Sequence, residues 1–173
     1  TGKHFDPELF AQLLDESYRN TKRADGEMTK KSFSPSSLGY GHGTCPRYWF
    51  IAFNGADFED NFDAMAIANM ENGKQAHDRI QTLLQSTHVL KEIEREILCN
   101  DPPVRGFADI ILDWNGKDVI GELKTVKDEI FHTRQAQMSP SISHLVQLLL
   151  YMWVEKIDEG FVMYENKNDN QIL

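Results

Sequence analysis

Cysteine is scarce in this chain: Cys45 and Cys99 are the whole complement of 173 residues. Two thiols give no disulfide framework, so the expected setting is a reducing one, the cytoplasm. Long apolar runs are missing as well. Nothing approaches the ~20 residues of a membrane span, and Thr1-Gly2-Lys3-His4 has no apolar stretch of the kind a signal peptide carries. Gly and Pro number 11 and 6, too few for a collagen-like or low-complexity chain. Positive charge is also short. Lys and Arg total 18 against 27 Asp and Glu, a net charge of −9 with histidine neutral. That balance excludes a wholly basic nucleic-acid coat. A polyanion partner would have to be met by a local site, a metal, or further chain. What remains is ordinary for a globular domain, with 40% hydrophobic and 26% charged residues. A chain of this length buries roughly 70% of its unfolded surface without a staple.

Asp6-Pro7 reads as a helix start, followed by an apolar stripe of Phe10, Leu13 and Leu14 that fades near Tyr18 and Arg19. Residues 20–31 are polar and hold Lys22, Arg23, Lys30 and Lys31, which suggests a mobile loop with a small basic patch. The N-terminal helix and loop, residues 1–33, are therefore set apart from the domain proper, residues 34–173. Ser34-Pro35-Ser36-Ser37 opens structured chain, and Cys45-Pro46-Arg47 starts a short helix carrying Tyr48, Trp49, Phe50 and Ile51. Residues 57–63 are acidic and loop-like. Apolar periodicity then predicts a long helix over 64–86, interrupted by Gly73, whose cost of about 1 kcal/mol suggests close packing there. Strands are expected over 89–98, with charged alternates Lys91, Glu94 and Glu96, and over 106–114 and 117–124, with residues 125–138 mixed. Ser139-Pro140 should cap a helix to about Glu155 that carries Leu145, Leu148, Leu149 and Trp153. A last strand follows over 160–165, and Gln171-Ile172-Leu173 reads as the start of another. The order predicts an α/β fold around a central mixed sheet flanked by helices.

The chemistry concentrates in Gly106-Phe107-Ala108-Asp109 and Gly121-Glu122-Leu123-Lys124. Asn115-Gly116 is the strongest short-range signal for a two-residue type I′ hairpin turn. Counting back from Trp114 opposite Lys117, Asp109 falls opposite Glu122. Directly opposed Cβ atoms lie about 4.5–5.5 Å apart, and Lys124 projects on the same face as Glu122. Two opposed carboxylates repel unless a cation joins them or one is protonated. Mg²⁺ prefers such oxygen ligands, and the Leu123 carbonyl could add another. A lysine beside the metal's water could orient or deprotonate it, or hold a phosphate oxygen, which is what phosphodiester hydrolysis requires. Asp113 and Asp118 are opposed by the same register close to the turn, so opposed acids alone do not define a site. A solvent-facing hairpin with ordinary charges is the competing interpretation.

Two helical patterns add to this. Gly73 and His77 are four apart on one helix face, and His77 could ligate a metal or simply pack at the surface. Gln147 and Tyr151 share a face among apolar neighbours, with His144 three residues earlier. Buried polar groups need partners. They are either a satisfied core amide and hydroxyl or supports for Lys124 and the substrate.

Together these residues resemble the PD-(D/E)XK nuclease superfamily, in particular its RecB-like branch of CRISPR-associated RecB-like and phage exonucleases. The matching pieces are Gly73 to His77, Asp109, Glu122-Leu123-Lys124 and Gln147 to Tyr151, in the family's order. Ser37-Leu38 and Cys45-Pro46-Arg47 look like the branch's opening motif, and the likeness covers residues 34–164. It implies a restriction-endonuclease-like core. It also implies Mg²⁺ or Mn²⁺ held by His77, Asp109, Glu122 and the Leu123 carbonyl. Catalysis would involve Lys124 with Glu122 and Asp109, with Gln147 and Tyr151 supporting the site and the DNA backbone. Ala108 stands where the name-giving proline would be. Many relatives carry a 4Fe–4S cluster with one cysteine at the Cys45 position and three near the C-terminus. No cysteine follows Cys99 here, and two thiols cannot supply four-thiolate ligation. Either there is no cluster and Cys45 is a buried thiol, or the segment bearing the other ligands lies beyond Leu173.

The resulting expectation is a divalent-metal-dependent DNA nuclease, an exonuclease on linear DNA ends, acting in replication, recombination or repair. Its partners would be single- or double-stranded DNA ends, a recombination protein being a further candidate. For a phage-encoded protein the compartment would be the host cytoplasm. A non-cleaving binding module and an endonuclease are the alternatives. Candidate phosphate contacts are few, namely Lys22, Arg23, Lys30, Lys31, Arg47, Lys74 and Arg79, so DNA binding should be weak and salt-sensitive.

Overall fold

A computed structural model describes residues 5–20, 26–27, 30–58 and 62–173. Helix α1 spans Pro7–Asn20, and the Asp6 carboxylate caps it by accepting from the Glu8 and Leu9 amides at 3.0 and 3.1 Å. Its apolar stripe does not enter the core: Phe10, Leu13 and Leu14 are each about half exposed. The expected polar loop contains a two-residue strand, β1 (Gly26–Glu27), which pairs antiparallel with β2 (Asp57–Phe58). Lys22 and Arg23 lie outside the described residues.

Three short helical pieces follow: α2 (Pro35–Leu38), a 3₁₀ turn (Gly41–Thr44), and α3 (Pro46–Phe53). Cys45 sits at the α3 N-cap, and its thiol is exposed rather than buried. A cap position holds the side chain outside the helix, at the surface. Phe33 bridges to the sheet beside Val104 and packs on Trp49 and Phe53, at 5.0 Å between ring centroids in each case.

Helix α4 (Ala64–Gln85) begins at Asp63, whose carboxylate accepts from the Ala66 amide at 2.7 Å. Gly73 within it faces Thr125, and an added Cβ there would make only an ordinary contact of 3.7 Å. Close packing therefore does not require glycine at that position.

The central sheet has the order β3-β4-β5-β6, from β3 (Leu90–Asn100), β4 (Pro103–Trp114), β5 (Lys117–Val126) and β6 (Glu159–Asn166). The first three strands form an antiparallel meander, and β6 runs parallel to β5. A parallel neighbour demands a crossover. Two helices supply it, α5 (Asp128–Gln137) and α6 (Ile142–Glu155). The α5 segment was expected to be mixed, and the α6 cap is Ser141 rather than Ser139. Beyond β6, the bridge Glu165↔Ile172 continues the edge. No helix among the described residues is long and apolar enough to cross a membrane.

The protein is thus α/β, a mixed four-stranded sheet flanked by helices. One face packs Ile97, Ala108, Ile111 and Ile120 against Leu148 and Tyr151 of α6. The other packs Ile110, Leu112 and Leu123 against Ile80 of α4. Within α6, Leu148 is buried, whereas Leu149 and Trp153 lie on its exposed side.

Candidate metal centre and active site

The hairpin turn sets the geometry. Asn115 and Gly116 both take positive φ, 54° and 82°, and Trp114 pairs with Lys117 as the turn dictates. The ladder runs from there to Ile110↔Gly121 and then stops. At the next position the Asp109 side chain takes over: its Oδ2 accepts the Leu123 amide at 2.7 Å. Backbone pairing is replaced by a carboxylate, which fixes Asp109 relative to Glu122 and Lys124 on β5.

A second irregularity lies on the opposite flank of Asp109. Ala108 packs on the α6 face, yet Ile110, two residues on, packs on the α4 face. Strict alternation would put both on one face. Across from this slip, Glu94 of β3 adopts φ 49°, and the pairs on either side of it are Ile93↔Ile110 and Arg95↔Ala108. Local strand distortions of this kind re-aim side chains near functional sites. Gln81 of α4 spans the distortion, donating to Glu94 Oε1 at 2.7 Å and to the Asp109 carbonyl at 3.0 Å.

His77, one turn before Gln81, brings Nδ1 within 3.5 Å of Asp109 Oδ1. The Asp109 carboxylate raises the His77 imidazole above its ordinary value, against the effect of burial. Glu122 is buried, and its Oε1 accepts from Lys124 Nζ at 2.5 Å and from Gln147 Nε2 at 2.6 Å. Its other oxygen, Oε2, is buried with no hydrogen-bond partner. Burial, with the Asp109 carboxylate, pushes the Glu122 carboxyl up to about 7 against the pull of Lys124.

Gln147 and Tyr151 lie behind this carboxylate. Gln147 Nε2 also donates to the Tyr151 hydroxyl at 3.2 Å, and both side chains are buried. They brace Glu122 from the core. The Tyr151 hydroxyl approaches β4 so closely that a Cβ on Gly106 would stand 2.8 Å from it. Burial raises the Tyr151 phenol further still above its ordinary value. His144 turns elsewhere, with Nδ1 2.8 Å from the Tyr164 hydroxyl. Burial, with Lys124 and Arg134, pushes it down to about 4.

The arrangement fits a divalent cation on two counts. Ligand atoms of His77, Glu94 and Asp109 all lie within 4.8 Å of one another, and Glu122 keeps a buried oxygen, Oε2, with no hydrogen-bond partner. The donor set of imidazole nitrogen and carboxylate oxygens suits Mg²⁺ or Mn²⁺. Glu94 was not among the residues the sequence singled out; it read as one of several charged alternates on its strand. Gln81 carried a signal that went unused: a polar residue four after His77 on the same helix face.

The candidate phosphate contacts fare unevenly. Lys30 Nζ lies over the rings of Tyr48 and Trp49, at 5.5 and 5.0 Å. Arg79 is engaged by the buried Glu165 carboxylate through two bonds of 2.7 and 2.6 Å. Lys31, Arg47 and Lys74 are exposed. Cys99 Sγ lies 3.4 Å from the Asp101 carbonyl, and both cysteines are free.

No family model matches the chain, and no curated protein sequence matches it. Among solved structures, the crystal structure of SSO0001 is similar, with a TM-score of 0.52 and 20% identity, over 95% of this chain and 76% of that one. At that identity, what the chain shares with SSO0001 is its fold.

Proposed function

We propose that this protein is a divalent-metal-dependent nuclease that hydrolyses phosphodiester bonds of DNA, working as an exonuclease on linear ends. The observation that carries the proposal is the β4–β5 carboxylate pair with its lysine. Asp109 is locked to Leu123, and Glu122 is braced by Lys124 and Gln147 with one oxygen left over. His77, Asp109 and Glu122 would hold Mg²⁺ or Mn²⁺, which when bound supplies an activated water and neutralises charge developing on the phosphate.

The chain's own groups do the rest. Lys124, part-exposed beside Glu122, orients the attacking water or contacts a phosphate oxygen. Glu122 holds the ammonium in place. Gln147 and Tyr151 fix Glu122 from the buried side, so that the carboxylate cannot rotate away. Positioning of this kind keeps reorganisation out of the chemical step.

The test is degradation of linear DNA with Mn²⁺ by wild type and Lys124→Ala. The variant should fold normally and lose at least a hundredfold in rate; full activity would remove Lys124 from the mechanism. Covalently closed circular DNA in the same assay separates an exonuclease, which leaves it intact, from an endonuclease. The −9 charge favours one other reading, a nuclease fold that binds a partner without cutting. Absence of cleavage in wild type with intact DNA binding would support it.

A further inference from the structure

We propose that Glu94 is a metal ligand: with His77 and Asp109 it forms a nitrogen–oxygen–oxygen site for a divalent transition-series ion such as Mn²⁺. This rests on the cation chemistry proposed above and adds a third strand, β3, to the ligand set.

The three residues come from three elements, α4, β3 and β4, yet their ligand atoms all lie within 4.8 Å of one another. Each has an atom to give. Asp109 commits Oδ2 to the Leu123 amide, which leaves Oδ1 turned toward His77 Nδ1. Glu94 accepts from Gln81 through Oε1 alone, so its second oxygen is not used by that bond. The mixed donor set defines the ion class: the carboxylates accept Mn²⁺ as they do Mg²⁺, and the imidazole tilts the site toward a transition-series ion.

A separate observation points to a cation in the same place. Glu122 keeps Oε2 buried and partnerless, and it interacts electrostatically with both Asp109 and His77. Glu94 and Asp109 face one imidazole, and carboxylates held this close repel one another unless a positive ion joins them. The fold also holds Glu94 in place at a cost. A non-glycine residue at positive φ inside a strand is strained, and Gln81 holds the Glu94 carboxylate from α4. Without a ligand role, an exposed glutamate in ordinary strand geometry would avoid both the strain and the repulsion.

Isothermal titration of the whole protein with MnCl₂ tests this, comparing wild type, Glu94→Gln and Asp109→Asn. Gln at 94 can still accept from Gln81, so the fold should survive, and melting in EDTA checks it. Wild type should bind Mn²⁺, Glu94→Gln should bind at least tenfold more weakly, and its melting temperature in EDTA should be unchanged or higher. If Glu94→Gln binds like wild type while Asp109→Asn does not, Glu94 is no ligand and the nuclease reading stands. If wild type itself binds no Mn²⁺, both readings fall. Anomalous density from Mn²⁺-soaked wild-type crystals decides the matter independently of any variant's folding. A peak bonded to His77, Glu94 and Asp109 supports the proposal, and one bonded to Asp109 and Glu122 without Glu94 overturns it.

Discussion

Glu122 concentrates the electrostatics of the site in one side chain. Its carboxyl is pushed from 4.5 up to about 7, chiefly by burial, so the folded protein holds a proton there that the unfolded chain releases. The resulting stabilisation is complete below pH 4.5 and is lost as pH rises through 7. His144 works in the opposite sense, because its pKa is lowered to about 4, so the Glu122 contribution must be isolated by a variant. Glu122→Gln can keep its carbonyl at the Oε1 position and put its amide where Oε2 stands. In EDTA, wild type should lose stability relative to Glu122→Gln between pH 5 and 8, by about 1–3 kcal/mol in urea denaturation. A constant difference across that range would mean that Glu122 ionises normally. Placing Glu122, Asp109 and Lys124 together from sequence was possible because the Asn115-Gly116 turn fixes the hairpin register. Placing Glu94 beside them was not. Lys91, Glu94 and Glu96 look alike on a strand, and only the slip opposite Asp109, together with the Gln81 bond, distinguishes Glu94.

At the scale of elements, the sequence was most legible where periodicity or capping is strong. The apolar spacing locates α4, and Asp6-Pro7 locates α1. The α5 helix escaped because it carries one buried anchor, Phe131, on an otherwise polar segment. It is secured instead from outside, where Asn166 Nδ2 donates to Asp128 Oδ1 at 2.7 Å. Helix α6 and strand β4 meet closely at a glycine. A Cβ at Gly106 would stand 2.8 Å from the Tyr151 hydroxyl, 2.9 Å from Tyr151 Cε1 and 3.2 Å from Pro35 Cδ. Gly106→Ala should therefore displace Tyr151 and lower stability by about 1–3 kcal/mol in urea denaturation. Unchanged stability would mean that α6 can retreat from β4 without penalty.

For the whole molecule, the acidic surplus shapes any encounter with nucleic acid. Of the cations first considered, Arg79 is spent on Glu165 and Lys30 on aromatic rings, while Lys31, Arg47 and Lys74 are exposed. With Lys22 and Arg23, which lie outside the described residues, they allow about five phosphate contacts, so the logarithm of the binding constant for duplex DNA should fall against log salt with a slope of about −5 or shallower. Filter binding between 50 and 200 mM NaCl measures it, and a slope steeper than −6 would reveal a basic surface absent from this set. The same Arg79 has a structural consequence. It bonds to Glu165 on β6, one edge of the sheet, while Gln81, two residues along α4, bonds to Glu94 on β3, the other edge. A single helical turn therefore straps the two outermost strands together, independently of the sheet's own ladders. Shear applied at β6 reaches β3 through that strap directly, without passing strand by strand across β5 and β4.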